Sequence, residues 1–143
     1  MLVGKYEQNM DAKGRVNVPA KFRPSLGENF IVAFGAVFDE NCVNVYPIEA
    51  WNEIMGKISE LEPENRAMLM RYVQGHSSEC VLDSQGRVVI PPDIREAAGL
   101  KKDIVVVGEH TKVEIWSLDK WNEYEDKAFD MDKISDLMKN IGI

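Results

Sequence analysis

Asp11-Ala12-Lys13-Gly14-Arg15 decides how this chain is read, because it returns as Asp83-Ser84-Gln85-Gly86-Arg87, 72 positions later. The flanks return with it: Val16, Pro19, Arg23 and Gly27 reappear as Val88, Pro91, Arg95 and Gly99. Further on, Ile31-Val32-Ala33-Phe34-Gly35 matches Ile104-Val105-Val106-Val107-Gly108, and Trp51-Asn52-Glu53 matches Trp121-Asn122-Glu123. Internal repetition outranks local propensity as a guide to fold. Two copies make a fused pair and not a solenoid, and the simplest fold for such a pair is two halves related by a pseudo-two-fold.

The turn chemistry of the repeated stretch is explicit. Asp at the first position can bond its own downstream amides, and Gly at the fourth can take a left-handed conformation without a steric penalty. Tyr6 to Met10 before it and Arg15 to Val18 after it alternate as strands, so a short hairpin-type connection is expected. Pro19 stands where a helix can begin. The spacing predicts a short helix over Ala20 to Arg23, stopped by Pro24 and Gly27, and a matching one over Asp93 to Ala98, closed by Gly99. Phe30 to Phe34 and Val43 to Tyr46 read as buried strands joined by Gly35 to Cys42. Pro47 opens a helix carrying Trp51, Ile54, Ile58 and Leu61 at helical spacing, and its twin carries Leu118, Trp121 and Tyr124.

Glu62-Pro63-Glu64-Asn65 opens a further helix with no counterpart in the second copy, which makes it the bridge between repeats. The expected organisation is a first repeat over 1–61, a linking helix over 62–75, a second repeat over 76–129 and an acidic amphipathic tail over 130–143. For that tail, packing on its own domain, docking on a neighbouring subunit and fraying remain open.

Composition bounds the function. The 143 residues are 45% hydrophobic and 29% charged, ordinary for a globular protein. Apolar runs such as Ile104 to Val107 fall far short of the ~20 residues that span a bilayer, and the N-terminus lacks a signal-peptide core. A cytoplasmic protein is expected. Cys42, Cys80, His76 and His110 lie apart from any metal-ligand spacing, so no metal and no cofactor are expected. His76-Ser77-Ser78-Glu79 offers a His, a Ser and an acid, but strand neighbours point to opposite faces and do not assemble a triad. No nucleophile elbow or phosphate loop is present, and no enzyme is expected.

Net charge is −7, which argues against nucleic acid until its distribution is considered. Residues 1–26 carry a net +3, residues 118–143 a net −3, and the second-copy turn region, 83–98, a net −1. In the second copy Lys13 becomes Gln85 and Lys21 becomes Asp93. A rigid two-stranded ribbon can enter a DNA groove, with Arg bidentate to guanine for sequence and lysines on phosphate for position. The candidate DNA-binding residues are Lys13, Arg15, Lys21 and Arg23, with Asp11 orienting. Asp83 and Arg87 form the second-copy motif, whose role is more structural.

These residues are similar to a known family. The duplicated Asp-x-x-Gly-Arg-Val-x-[Val/Ile]-Pro, the Trp-Asn-Glu helices, Gly75-His76-Ser77-Ser78-Glu79-Cys80 and Glu114-Ile115-Trp116 together resemble MraZ, bacterial regulators with two tandem SpoVT-AbrB domains. The resemblance covers essentially the whole chain. It implies an α+β fold of two AbrB-like swapped-hairpin repeats, forming one pseudo-two-fold, β-barrel-like domain with flanking helices. It also implies ring-shaped homo-oligomers that bind promoter direct repeats in double-stranded DNA through the first motif. The expected role is a nucleoid-associated repressor of the division and cell-wall gene cluster, including the repressor's own gene. Several weak hairpins on one ring would gain ~10²–10⁴-fold in avidity, which reconciles an acidic chain with DNA. The competing reading is an oligomeric scaffold that binds protein and not DNA. An antitoxin built on one short domain fits the duplicated core poorly.

Overall fold

The computed structural model describes residues 1–35 and 41–143. The first copy contributes β1 (Leu2–Asn9), β2 (Arg15–Asn17), α1 (Arg23–Leu26), β3 (Asn29–Phe34), β4 (Val43–Pro47) and α2 (Ile48–Ser59). Helix α3 (Pro63–Gly75) follows. The second copy repeats the order as β5 (Ser77–Val81), β6 (Arg87–Val89), α4 (Pro92–Ala97), β7 (Asp103–His110), β8 (Lys112–Ser117) and α5 (Leu118–Ala128), before a final helix α6 (Met131–Asn140). The fold is therefore α+β.

Strand pairing interleaves the copies. One antiparallel sheet has the order β1-β7-β8-β4-β3-β5, so β1 pairs with the second copy's β7 and β5 pairs with the first copy's β3. Strands β2 and β6 pair only with each other, through Arg15↔Val89, Val16↔Val88 and Asn17↔Arg87. The expected barrel-like closure is not found: the six-stranded sheet is open, with β1 and β5 as its edges. The physical reason is that β2 and β6 satisfy each other as a separate ribbon and do not join those edges.

Side-chain alternation along the strands builds a core on each sheet face. Phe30 and Val32 of β3, Val43 and Val45 of β4, Ile104 and Val106 of β7, and Val113 and Ile115 of β8 point to one face. There they meet Val16, Val88, Phe22, Leu26, Ile94 and Leu100 from the ribbon, α1, α4 and their flanks. On the other face Ala33 and Tyr46 pack under Trp51 and Ile58 of α2 and Val73 of α3. Beside them Val105 and Trp116 pack with Cys42 and Trp121. The two Trp-bearing helices thus cover the two halves of one sheet, and the ribbon lies on the opposite side.

Several local expectations shift. Pro24 does not stop α1; it sits in its first turn, where its missing N–H costs nothing, and Gly27 with φ 81° ends it. Lys21 instead lies in the turn closed by Phe22 N–H on Pro19 O at 2.8 Å. Helix α2 ends at Ser59, leaving Leu61 exposed beyond it. The expected connection from Gly35 to Cys42 lies largely outside the described residues. Helix α6 is capped by Asp130, whose carboxylate accepts from Asp132 and Lys133 N–H, and none of its residues is buried.

Candidate nucleic-acid interface

Each repeated turn is held by the same five bonds: its Asp N–H donates across the turn, from Asp11 to Arg15 O at 3.2 Å and from Asp83 to Arg87 O at 2.8 Å, and its Asp oxygens accept the other four. Asp11 Oδ1 accepts from Lys13 N–H at 3.0 Å and Arg15 N–H at 2.8 Å, while Oδ2 accepts from Arg15 Nε at 2.5 Å. The fourth is Gly14 N–H on Asp11 O at 3.0 Å, with Gly14 at φ 80°. Asp83 repeats this with Gln85 N–H at 2.8 Å, Arg87 N–H at 2.9 Å and Arg87 Nε at 2.8 Å, and Gly86 sits at φ 77°. The Arg15 amide, opposed by partial burial and helped by the Arg15 guanidinium, holds the Asp11 carboxyl below its ordinary value. The Arg87 amide does the same for Asp83.

Because Arg15 meets Asp11 through Nε, its two Nη groups form no hydrogen bond among the described residues. That leaves the planar fork, already oriented, for an external acceptor. Val16 and Val88 face the core, so Arg15, Asn17, Arg87 and Val89 share the outward face of the ribbon. Gln8 fastens the first strand to it, donating from Nε2 to Asn17 O at 2.8 Å and accepting from Asn17 N–H at 3.1 Å. The matching position in the second copy is Cys80, whose Sγ reaches Val89 O at 4.0 Å, a weak stand-in for the first of these two bonds.

The ribbon is antiparallel, so the two turns lie at opposite ends, and each end is completed by the other copy. Ile90 N–H donates to Gly14 O at 2.9 Å, and Val18 N–H to Gly86 O at 3.0 Å. The Arg95 guanidinium lies directly over Gly14, and the Arg23 guanidinium over Gly86. Arg23 is fixed there by Nε donating to Val18 O at 2.9 Å. The structure therefore keeps Asp11, Lys13 and Arg15 together and places Arg23 at the other end, on the turn that carries Asp83 and Arg87. Lys21 is exposed two residues before it.

Arg95, Lys101 and Lys102 are the residues that the linear reading missed. They line an open cleft of about 710 Å³ beside Asp11 and Ala12, together with Glu96. At the other end a cleft of the same size is lined by Arg23 with Glu28, Glu79 and Asp83. Size does not distinguish the ends; charge does. Arg95 was findable as the offset partner of Arg23, but only the strand pairing shows which turn it covers.

The family model described as "MraZ protein, putative antitoxin-like" matches residues 1–71 and 74–140. A protein of Lachnoclostridium phytofermentans named "Transcriptional regulator MraZ" is 43% identical, covering 100% of this chain and 99% of its own length. The chain belongs to the MraZ family. Proteins of the same name from Alkaliphilus metalliredigens and Clostridium tetani are 38% and 37% identical over the full length of both chains. These MraZ relatives are named as regulators and not as enzymes, in line with the non-enzymatic reading of the sequence. Among the described residues no helix is long and apolar enough to cross a membrane.

Proposed function

We propose that this chain is a sequence-specific, DNA-binding transcriptional regulator that meets duplex DNA through the outward face of the β2–β6 ribbon, chiefly at the Asp11–Arg15 end. The observation that carries the reading is Arg15: Asp11 fixes it through Nε, its Nη fork is unengaged among the described residues, and it stands on an outward ribbon face. A fork so held loses little entropy on binding a guanine edge, a contact worth about 1–3 kcal/mol of discrimination. The relatives' name supports regulation of transcription. In the fuller reading the protein is a cytoplasmic, nucleoid-associated repressor of the division and cell-wall cluster and of its own promoter, binding direct repeats as a ring. The pairing of β1 with β7 and of β5 with β3 supports two swapped-hairpin AbrB-like repeats, 1–61 and 76–129, joined by 62–75 and followed by a tail over 130–143.

Gel shifts test it, using a duplex recovered by the wild-type protein from random sequences. Arg15→Ala abolishes specific binding, whereas Arg87→Ala weakens it less, and binding falls steeply with salt. Equal losses at both arginines in folded protein sink the asymmetry. The scaffold reading draws support from α6, where Met131, Leu137 and Met138 are exposed, as is Ile141 just beyond it. A pull-down on fragmented genomic DNA separates the two, since a pure scaffold enriches no sequence.

A further inference from the structure

The two ends of the ribbon differ at one pair of structurally equivalent positions that no fixed offset in the sequence aligns. Met10 N–H donates to Lys102 O at 2.8 Å, and Leu82 N–H donates to Glu28 O at 3.0 Å. Met10 and Leu82 are repeat partners, and Lys102 and Glu28 are each the residue immediately before β7 and β3. Glu28 therefore occupies at the second-motif end the place that Lys102 occupies at the first. Both side chains are exposed, and each lines the cleft beside its turn. Arg15, Arg95 and the turn aspartates keep their residue type at both ends; Lys102 does not, nor does Lys13, which Gln85 replaces in the second turn.

We propose that Lys102, a residue of the second repeat, is a phosphate-contacting residue of the first-repeat DNA site, and that Glu28 at the equivalent place repels phosphate from the other end. Lys101 adds charge beside it, and Arg95, lying over Gly14, positions the turn between Lys102 and Arg15. This rests on the DNA-binding reading above. A contact to phosphate carries no sequence information but fixes which end of a protein docks. Opposite charges at matched places turn two geometrically similar ends into one docking end and one excluded end. That selection is needed because the Asp–Arg turn itself is the same at both.

The test is fluorescence anisotropy on the full chain with a duplex recovered by the wild-type protein from random sequences. Lys102→Glu should weaken binding by about tenfold or more near 100 mM salt and lower the slope of log K against log salt by about one. Glu28→Lys should tighten binding severalfold and raise that slope by about one. Thermal midpoints should stay within a degree or two, because both side chains are exposed. Unchanged binding by Lys102→Glu beside a binding wild type overturns the composite site alone, as does Glu28→Lys weakening the complex. A wild type that retains no duplex from the pool overturns the DNA-binding reading and this one with it.

Discussion

Each turn glycine should be energetically coupled to an arginine of the opposite repeat and to no other. Gly14→Ala puts a methyl into the Arg95 guanidinium, and Gly86→Ala puts one into that of Arg23. Two costs add at each site. Holding Ala at φ 80° or 77° costs about 1–2 kcal/mol. Displacing a half-buried guanidinium, which is flexible enough to swing away, adds about 0.5–1.5 kcal/mol, within the range found for touching residues. Once the arginine is removed only the first cost remains. Urea unfolding at fixed protein concentration reads the four combinations as double-mutant cycles. Gly14→Ala with Arg95→Ala, and Gly86→Ala with Arg23→Ala, should each recover about 0.5–1.5 kcal/mol relative to additivity. Gly14→Ala with Arg23→Ala and Gly86→Ala with Arg95→Ala should add within about 0.3–0.5 kcal/mol. Coupling between Gly14 and Arg23 would refute the crossed arrangement, and additivity in all four cycles would refute the close approach itself.

Two further outcomes follow from the same geometry. Gly108→Ala should be worse than either turn substitution, because its methyl would stand 2.6 Å from backbone atoms of Leu2 and Val3, which cannot rotate away. The cost should reach or exceed the upper end of the ~1–3 kcal/mol seen for overpacking, with faster amide exchange along β1; unchanged exchange there would contradict it. Acid should destabilise the fold through its turns. Asp11 and Asp83 titrate below their ordinary 3.8, so their contribution is present above that value and is lost as pH falls through the lowered one. Asp11→Asn with Asp83→Asn should flatten the loss of stability below about pH 4, and an unchanged acid limb would count against it.

Local chemistry in this chain was readable because it repeats. Asp and Gly at fixed positions specify the turn, and their bonds form as that chemistry demands. Period-two and helical spacings placed the strands and the two Trp-bearing helices, because each buries one face on the same sheet. Pro24 was misread because a proline ends a helix or begins one according to its place in the first turn, and a four-residue helix gives no periodicity to decide between them. The basic cluster was misplaced for a deeper reason. Lys13, Arg15, Lys21 and Arg23 are close in sequence, but β2 runs the length of the ribbon between Arg15 and Arg23, and only the pairing with β6 shows what waits at its far end. Arg23 and Arg95 are chemically interchangeable copies, so no residue pattern says which turn each covers. The charge difference between Lys102 and Glu28 was hidden in the same way. Lys102 and Glu28 lie just where the offset between copies slips, from 72 at Gly27 and Gly99 to 74 at Asn29 and Asp103, the matched first residues of β3 and β7. Their equivalence exists in two backbone hydrogen bonds, to Met10 and to Leu82, which join segments more than 50 residues apart. A duplicated chain that exchanges strands thus builds each end of its ribbon from both copies. The asymmetry between those ends is written partly within the copies, as Lys13 against Gln85, and partly in the pairing, as Lys102 against Glu28.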